Sequence, residues 1–227
     1  MTSEYNNNFD FIRLFEQKLA TYTGFKYAVC CDCCTNAILI SLELANHLEL
    51  INKKKKIIIP SKTYMSVPMT LINNGWNIRL DNDIKWQSSY QITPYVVDAA
   101  VGFHTNMIDD YKDNENINDL FVCVSFQQKK RLSLGRGGAI LFNNNRYLEK
   151  LRRLVYDGRN AYLNDGLEIE THGTDIMCGY HCYMEPDKAV QGILKINQDH
   201  LLPKYSIITD EDYPDLNQLL CLKDYHV

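Results

Sequence analysis

Two adjacent lysines, Lys129 and Lys130, stand in the stretch VSFQQKKRLSLGRGGAIL, between a β-branched and aromatic run ending at Ser125 and a glycine turn leading into the apolar run from Ala139. A lysine at the lip of a buried crevice can form a Schiff base with an aldehyde. Two other stretches offer complementary chemistry. In CDCCTNAILISLEL, Thr35 or Asp32 can cap a helix starting near Asn36, and the free N–H groups of that first turn would attract an anion such as a phosphate. Asp98 follows the apolar run YVV, and a carboxylate buried at such a position needs a cationic or protonated partner, because an unpaired charge there is too costly.

These residues need a scaffold that delivers them to one place. Apolar residues recur at helical spacing over residues 9–22 and 37–50, whereas KYAVC, KKIIIP, YVVDAA, FVCVSF and AILF read as short strands. Alternating strands and helices imply an α/β fold with a mostly parallel sheet and helices on both faces. Open sheets of this kind bind ligands at the carboxyl ends of their strands, and Thr35, Asp98 and Ser125 with Lys130 all follow such ends. About one strand–crossover–strand unit separates Asp98 from Lys130, so both can reach one crevice from neighbouring strands. The pattern weakens after Asn197. Residues 1–200 are expected to form one domain, and residues 201–227 a tail, too short for its own core, that packs on the body. The run from Lys53 to Lys56 reads as a solvated helix end and loop.

Composition bounds the function. The 227 residues are 45% hydrophobic and 23% charged, an ordinary globular balance that argues against disorder. A formal charge of −4 and a pI near 5.9 argue against a nucleic-acid surface. No stretch has the roughly 18 uncharged apolar residues of a spanning helix, and the first residues lack a signal peptide's apolar core, so the sequence places the protein in the cytoplasm with no membrane partner. Of eight cysteines, four crowd into CCDCC, where most mutual disulfides would be strained, and they read as reduced thiols in a core. A zinc site would need a second pair, for which Cys178 and Cys182 with His181 are the candidates, and no metal is expected.

Pyridoxal phosphate is the aldehyde whose needs match: a lysine, an anion site for its phosphate, and a carboxylate that keeps its ring nitrogen protonated. The order of the motifs adds to this. SFQQKKRLSLGRGG fits Ser-Phe-x-x-x-Lys followed by Gly-x-Gly-Gly, and CCTNA fits Ser-Gly-Thr-x-Ala loosely, with Thr35 and Ala37 kept. PSKTY fits Pro-x-x-Thr-aromatic, DAA fits Asp-x-Ala, and GYHCYM fits Gly-Tyr-Asn-Tyr-Arg-Met at Gly179, Tyr180 and Met184. In these motifs, over residues 11–197, the sequence resembles the DegT/StrS family of pyridoxal-phosphate-dependent nucleotide-sugar aminotransferases, which have the fold-type I large domain. The resemblance implies that Lys130, not Lys129, forms the Schiff base and that Cys33, Cys34, Thr35 and Ser125 surround the cofactor phosphate. It also implies that Tyr64 stacks on the pyridine face and that Asp98 partners the ring nitrogen. The implied assembly is a homodimer in which the loop carrying Tyr180 and His181 reaches the cofactor phosphate of the other chain. The implied reaction moves an amino group from glutamate to a nucleotide-linked keto-deoxysugar in two half-reactions, with Lys130 carrying the proton at the substrate carbon and Asp98 stabilising the protonated ring.

Departures from the family pattern are specific. Val101 stands where the family has Gln or His against the cofactor's phenolic oxygen and cannot donate a hydrogen bond, which makes His104 the candidate substitute. His181 and Tyr183 replace the asparagine and arginine of Gly-Tyr-Asn-Tyr-Arg-Met. The chain is expected to be a shortened version without the family's C-terminal small domain. A second reading follows from these departures: a cofactor-binding homologue that is catalytically impaired, regulatory or partner-dependent. Relatives that dehydrate their sugar replace the lysine with histidine, so Lys130 argues against dehydration. A dehydrogenase-like reading fails because that fingerprint, Gly-x-Gly-x-x-Gly, sits at the first strand–helix turn, whereas GRGG leads into a strand.

Overall fold

Alternate residues of the strands enter two separate apolar clusters, one on each face of a sheet. In the computed structural model, which describes residues 8–159 and 178–225, this alternation begins in β1 (Tyr27–Cys31), where Val29 and Cys31 join one cluster and Ala28 and Cys30 the other. It continues through β5 (Val96–Asp98), β6 (Phe121–Ser125) and β7 (Gly138–Phe142). Burial on both sides explains why these segments read as continuous apolar runs. The first face is covered by α2 (Cys34–His47), α3 (Ser66–Asn73) and α4 (Leu148–Val155), and the second by α1 (Phe9–Thr23) and α5 (Pro186–Asn197). Helix α1 ends where expected because Gly24 takes a left-handed conformation (φ 83°) and returns its N–H to the Ala20 carbonyl.

The expected α/β class, with helices on both faces, is present, but the sheet is mixed rather than mostly parallel. With β4 (Tyr90–Thr93) at its edge, the strand order is β1-β7-β6-β5-β4, and only β5 and β6 run parallel within it. The linkers decide this. β4 and β5 are joined by the two residues Pro94 and Tyr95, which permit only a hairpin, and the loop from Phe126 to Gly137 turns back so that β7 runs against β6. A second, parallel pair is formed by β2 (Ile57–Pro60) and β3 (Ile78–Asp81).

Residues 199–225 form short 3-10 turns. They are tied to the body by hydrogen bonds from the Ser88 N–H to the Ile208 carbonyl (2.7 Å) and from the Leu216 N–H to the Ser61 carbonyl (3.0 Å), and by burial of Leu216 and Leu222 in the first cluster. Among the described residues, no helix is long and apolar enough to cross a membrane. All eight cysteines are free thiols. No group of three or more His, Cys, Asp or Glu side chains among the described residues could hold a metal ion.

Candidate active site

The glycine turn and the start of α2 are built against each other. Strand β7 begins at Gly138, where a Cβ would fall 2.4 Å from the Cys34 amide nitrogen and 2.5 Å from the Cys33 carbonyl carbon, so only glycine lets the strand pass this close to the helix end. Gly137, at φ 137°, forms a β-bridge with Cys33. The helix itself starts earlier than its periodicity suggests. Its N-cap is Cys33, whose sulfur accepts from the Asn36 N–H at 3.4 Å, and neither Thr35 nor Asp32 caps it. Thr35 instead shares a hydrogen bond with Ser66 (2.7 Å), while Asp32 accepts from the Asn36 side chain (2.8 Å) and pairs with Arg136 (2.6 Å). A thiol is a weak acceptor, so sequence rules that favour Ser, Thr, Asp or Asn at this position pass over it.

A cleft of about 780 Å³ opens at this junction. Cys33, Cys34, Thr35, Tyr64, Asp98, Ser125 and Lys130 all line it, as does Val101. Lys130 is half-buried and Lys129 exposed, although both border the cleft. The loop holds Lys130 by a hydrogen bond from its N–H to the Gln127 carbonyl (2.8 Å), and Phe126 anchors both ends of the turn, donating to Gly137 (2.9 Å) and accepting from Leu134 (2.8 Å). Ser125 is buried at the end of β6, where its hydroxyl accepts weakly from the Gln127 N–H at 3.4 Å. Tyr64 leaves 52% of its surface open on the cleft wall.

Asp98 is 6% exposed, and burial raises its carboxyl above the usual range. The Ala100 N–H, which donates to it at 2.9 Å, the Tyr90 phenol and the more distant Lys130 ammonium all oppose that rise. Among the described residues it has no ion-pair partner within 4.0 Å. Tyr90 owes its place to register: it is the cross-strand partner of Asp98 in β4, and its hydroxyl shares a hydrogen bond with Thr63 at 2.6 Å. Burial lowers the Lys130 ammonium from the ordinary lysine range, with Asp98 and then Cys34 opposing. Burial pushes the Cys34 thiol well up, with the charge of Asp98 adding to the rise and Lys130 opposing it, so it stays protonated.

Two residues lie elsewhere. His104 is turned away from the cleft, with Nδ1 2.8 Å from the Gly102 carbonyl, Nε2 3.6 Å from Asp110, and its ring against Tyr205, so it is not the substitute for Val101. His181 is exposed and lies outside its own chain's cleft, with Nδ1 3.0 Å from the Asp157 carboxylate. That contact, with Arg159 assisting, lowers the Asp157 carboxyl. Close approach fixes the loop, since a Cβ at Gly179 would fall 1.9 Å from the Gly158 nitrogen. Tyr90 and Tyr213 are site residues that lie outside the motifs, and Thr63 and Arg136 lie within them without an assigned role.

The model of the DegT/DnrJ/EryC1/StrS aminotransferase family matches residues 1–109 and 114–198. The chain belongs to this family. No curated protein sequence matches it. Among solved structures, an aminotransferase from Bacillus cereus described as PLP-dependent is similar at 19% identity and a TM-score of 0.62, covering 84% of this chain and 60% of that one. A GDP-4-keto-6-deoxymannose-3-dehydratase with bound GDP-perosamine is 15% identical (TM-score 0.60), covering 83% of this chain and 61% of that one. PseC of Helicobacter pylori, an aminotransferase involved in pseudoaminic acid biosynthesis, is 16% identical (TM-score 0.56), covering 83% and 57%. The likeness to these structures shows the fold, that of fold-type I PLP-dependent aminotransferases. The chain spans about three fifths of the length of the structures it matches.

Proposed function

We propose that this chain binds pyridoxal phosphate and transfers an amino group from glutamate to a nucleotide-linked keto-deoxysugar, as a homodimer with shared active sites. The observation that carries the reading is that Asp98 and Lys130, from two adjacent strand ends, line one cleft at the start of α2 together with Cys34. The residues present fit the cofactor. Asp98 is a buried carboxylate with no cationic partner in contact among the described residues, and the first residues of α2, Cys34 and Thr35, line the cleft, where an anion would meet the helix end.

Bound there, pyridoxal phosphate supplies an electrophilic aldehyde and a ring that draws electrons from the substrate carbon. Lys130, partly desolvated, offers a neutral amine at lower pH than a solvated lysine, and would serve as the nucleophile toward the aldehyde and as the base that moves the proton at the substrate carbon. Asp98 holds the proton on the ring nitrogen, and the Tyr90 phenol, bonded in turn to Thr63, keeps the carboxylate aimed. The first-turn N–H groups of α2, the Thr35 and Ser66 hydroxyls and Ser125 bind the phosphate. The Tyr64 ring, exposed on the cleft wall, would cover the pyridine face. The position of His181 outside its own cleft supports the shared-site reading.

The experiment is spectroscopic. Purified protein given pyridoxal phosphate should develop a visible absorption band that glutamate bleaches and an accepting keto sugar restores. A band that forms but never bleaches with glutamate or another amino acid would replace this reading with the cofactor-binding, catalytically impaired one favoured by Val101 in the cleft wall.

A further inference from the structure

One wall of the cleft comes from a segment that none of the motifs includes. Ile208, Asp212, Tyr213 and Pro214 line it opposite the motif residues. This segment is firmly held. Besides its backbone hydrogen bonds to Ser88, Trp86 and Ser61, Lys62 pairs with Glu211 at 2.8 Å, Lys85 lies 3.5 Å from the buried Asp210, and Lys62 and Asp215 form a β-bridge. The Tyr213 ring packs on Trp86 with centroids 5.3 Å apart, and the Trp86 indole is fixed by a hydrogen bond to the Lys62 carbonyl (2.8 Å). The Asp212 carboxylate is already engaged with the Thr209 N–H at 2.9 Å. Of the four side chains, Tyr213 carries the hydrogen-bond donor.

We propose that residues 208–216 are a working wall of the cofactor site and that the Tyr213 hydroxyl donates a hydrogen bond to the phenolic oxygen of bound pyridoxal phosphate. The inference rests on the functional reading above. A phenol needs an acceptor. The ring nitrogen, protonated against Asp98, is not one, whereas the phenolic oxygen on the same pyridine ring is. Val101 offers that oxygen no donor, and His104 faces away. Tyr213 and Val101 line the same cleft, together with Asp98 and Tyr64. Burial, and then the charge of Asp98, raises the Tyr213 phenol to about 12. The group accordingly keeps its proton, and its capacity to donate, throughout the neutral range.

Tyr213→Phe removes the hydroxyl and keeps the ring on Trp86, which separates ligand contact from packing. Titration of wild type and Tyr213→Phe with pyridoxal phosphate, followed by absorption, should show roughly tenfold weaker binding in the variant and a displaced band, while the melting temperature without cofactor stays the same. Equal affinity with an unmoved band would overturn the assignment. Tighter binding would also overturn it, by showing that Tyr213 obstructs the cleft. If wild type gives neither a band nor a borohydride-trapped adduct, the cofactor reading itself fails, an outcome distinct from failure of Tyr213 alone.

Discussion

Asp98 and Lys130 carry opposite costs of the same burial. For Asp98, burial holds the proton on the folded chain to higher pH than on the unfolded one, so the stability present below the unfolded value is lost as pH rises through the raised folded value. Asp98→Asn keeps an acceptor for the Ala100 N–H and removes the charge. Without cofactor, this variant should melt higher than wild type at neutral pH, by on the order of 1 kcal/mol, with the difference closing in acid. It should still bind pyridoxal phosphate but lose the glutamate half-reaction, because a neutral amide cannot hold the ring nitrogen protonated. A near-normal half-reaction rate in stopped-flow absorption would show that Asp98 is not the ring partner. The types and spacing of these two residues made them legible in the sequence. Tyr90 was not, since only the pairing of β4 with β5 sets it beside Asp98, and Tyr213 is held in the cleft wall by its ring on Trp86, in a segment tied to Ser61 through Leu216, all remote in sequence.

Gly138 joins two elements, the start of β7 and the N-terminus of α2, and answers why a glycine turn follows the lysines. Gly138→Ala would drive a methyl into backbone atoms that have no flexible end to swing aside, so the variant should lose about 1–3 kcal/mol of stability and, as the helix end shifts, most of its affinity for pyridoxal phosphate. Thermal melts and cofactor titration check this, and a variant that binds normally would show that the junction does not form the phosphate site. The same elements show what periodicity conveys. Both faces of β5, β6 and β7 are buried, so their sequences read as strands without revealing direction. Direction resides in linkers such as Pro94 and Tyr95, and a parallel sheet was therefore expected where a mixed one stands. Helix α3, with eight residues and Pro68 in its first turn, is too short to show a helical period.

The whole assembly is where His181 becomes informative, because its loop is fixed against Asp157 and Gly158 and His181 does not line its own chain's cleft. If each site borrows His181 from the partner, Lys130→Ala and His181→Ala, each severely impaired alone, should regain activity when refolded together, in up to about half of the sites of the mixed dimers. No recovery despite verified subunit exchange would exclude a shared site, as would a monomer at working concentration. Everything proposed here depends on one covalent attachment. Protein loaded with pyridoxal phosphate, reduced with borohydride, digested and mapped by mass spectrometry should carry the cofactor on Lys130, and Lys130→Ala should carry none. The adduct on Lys129, or no adduct on either lysine, would contradict the account.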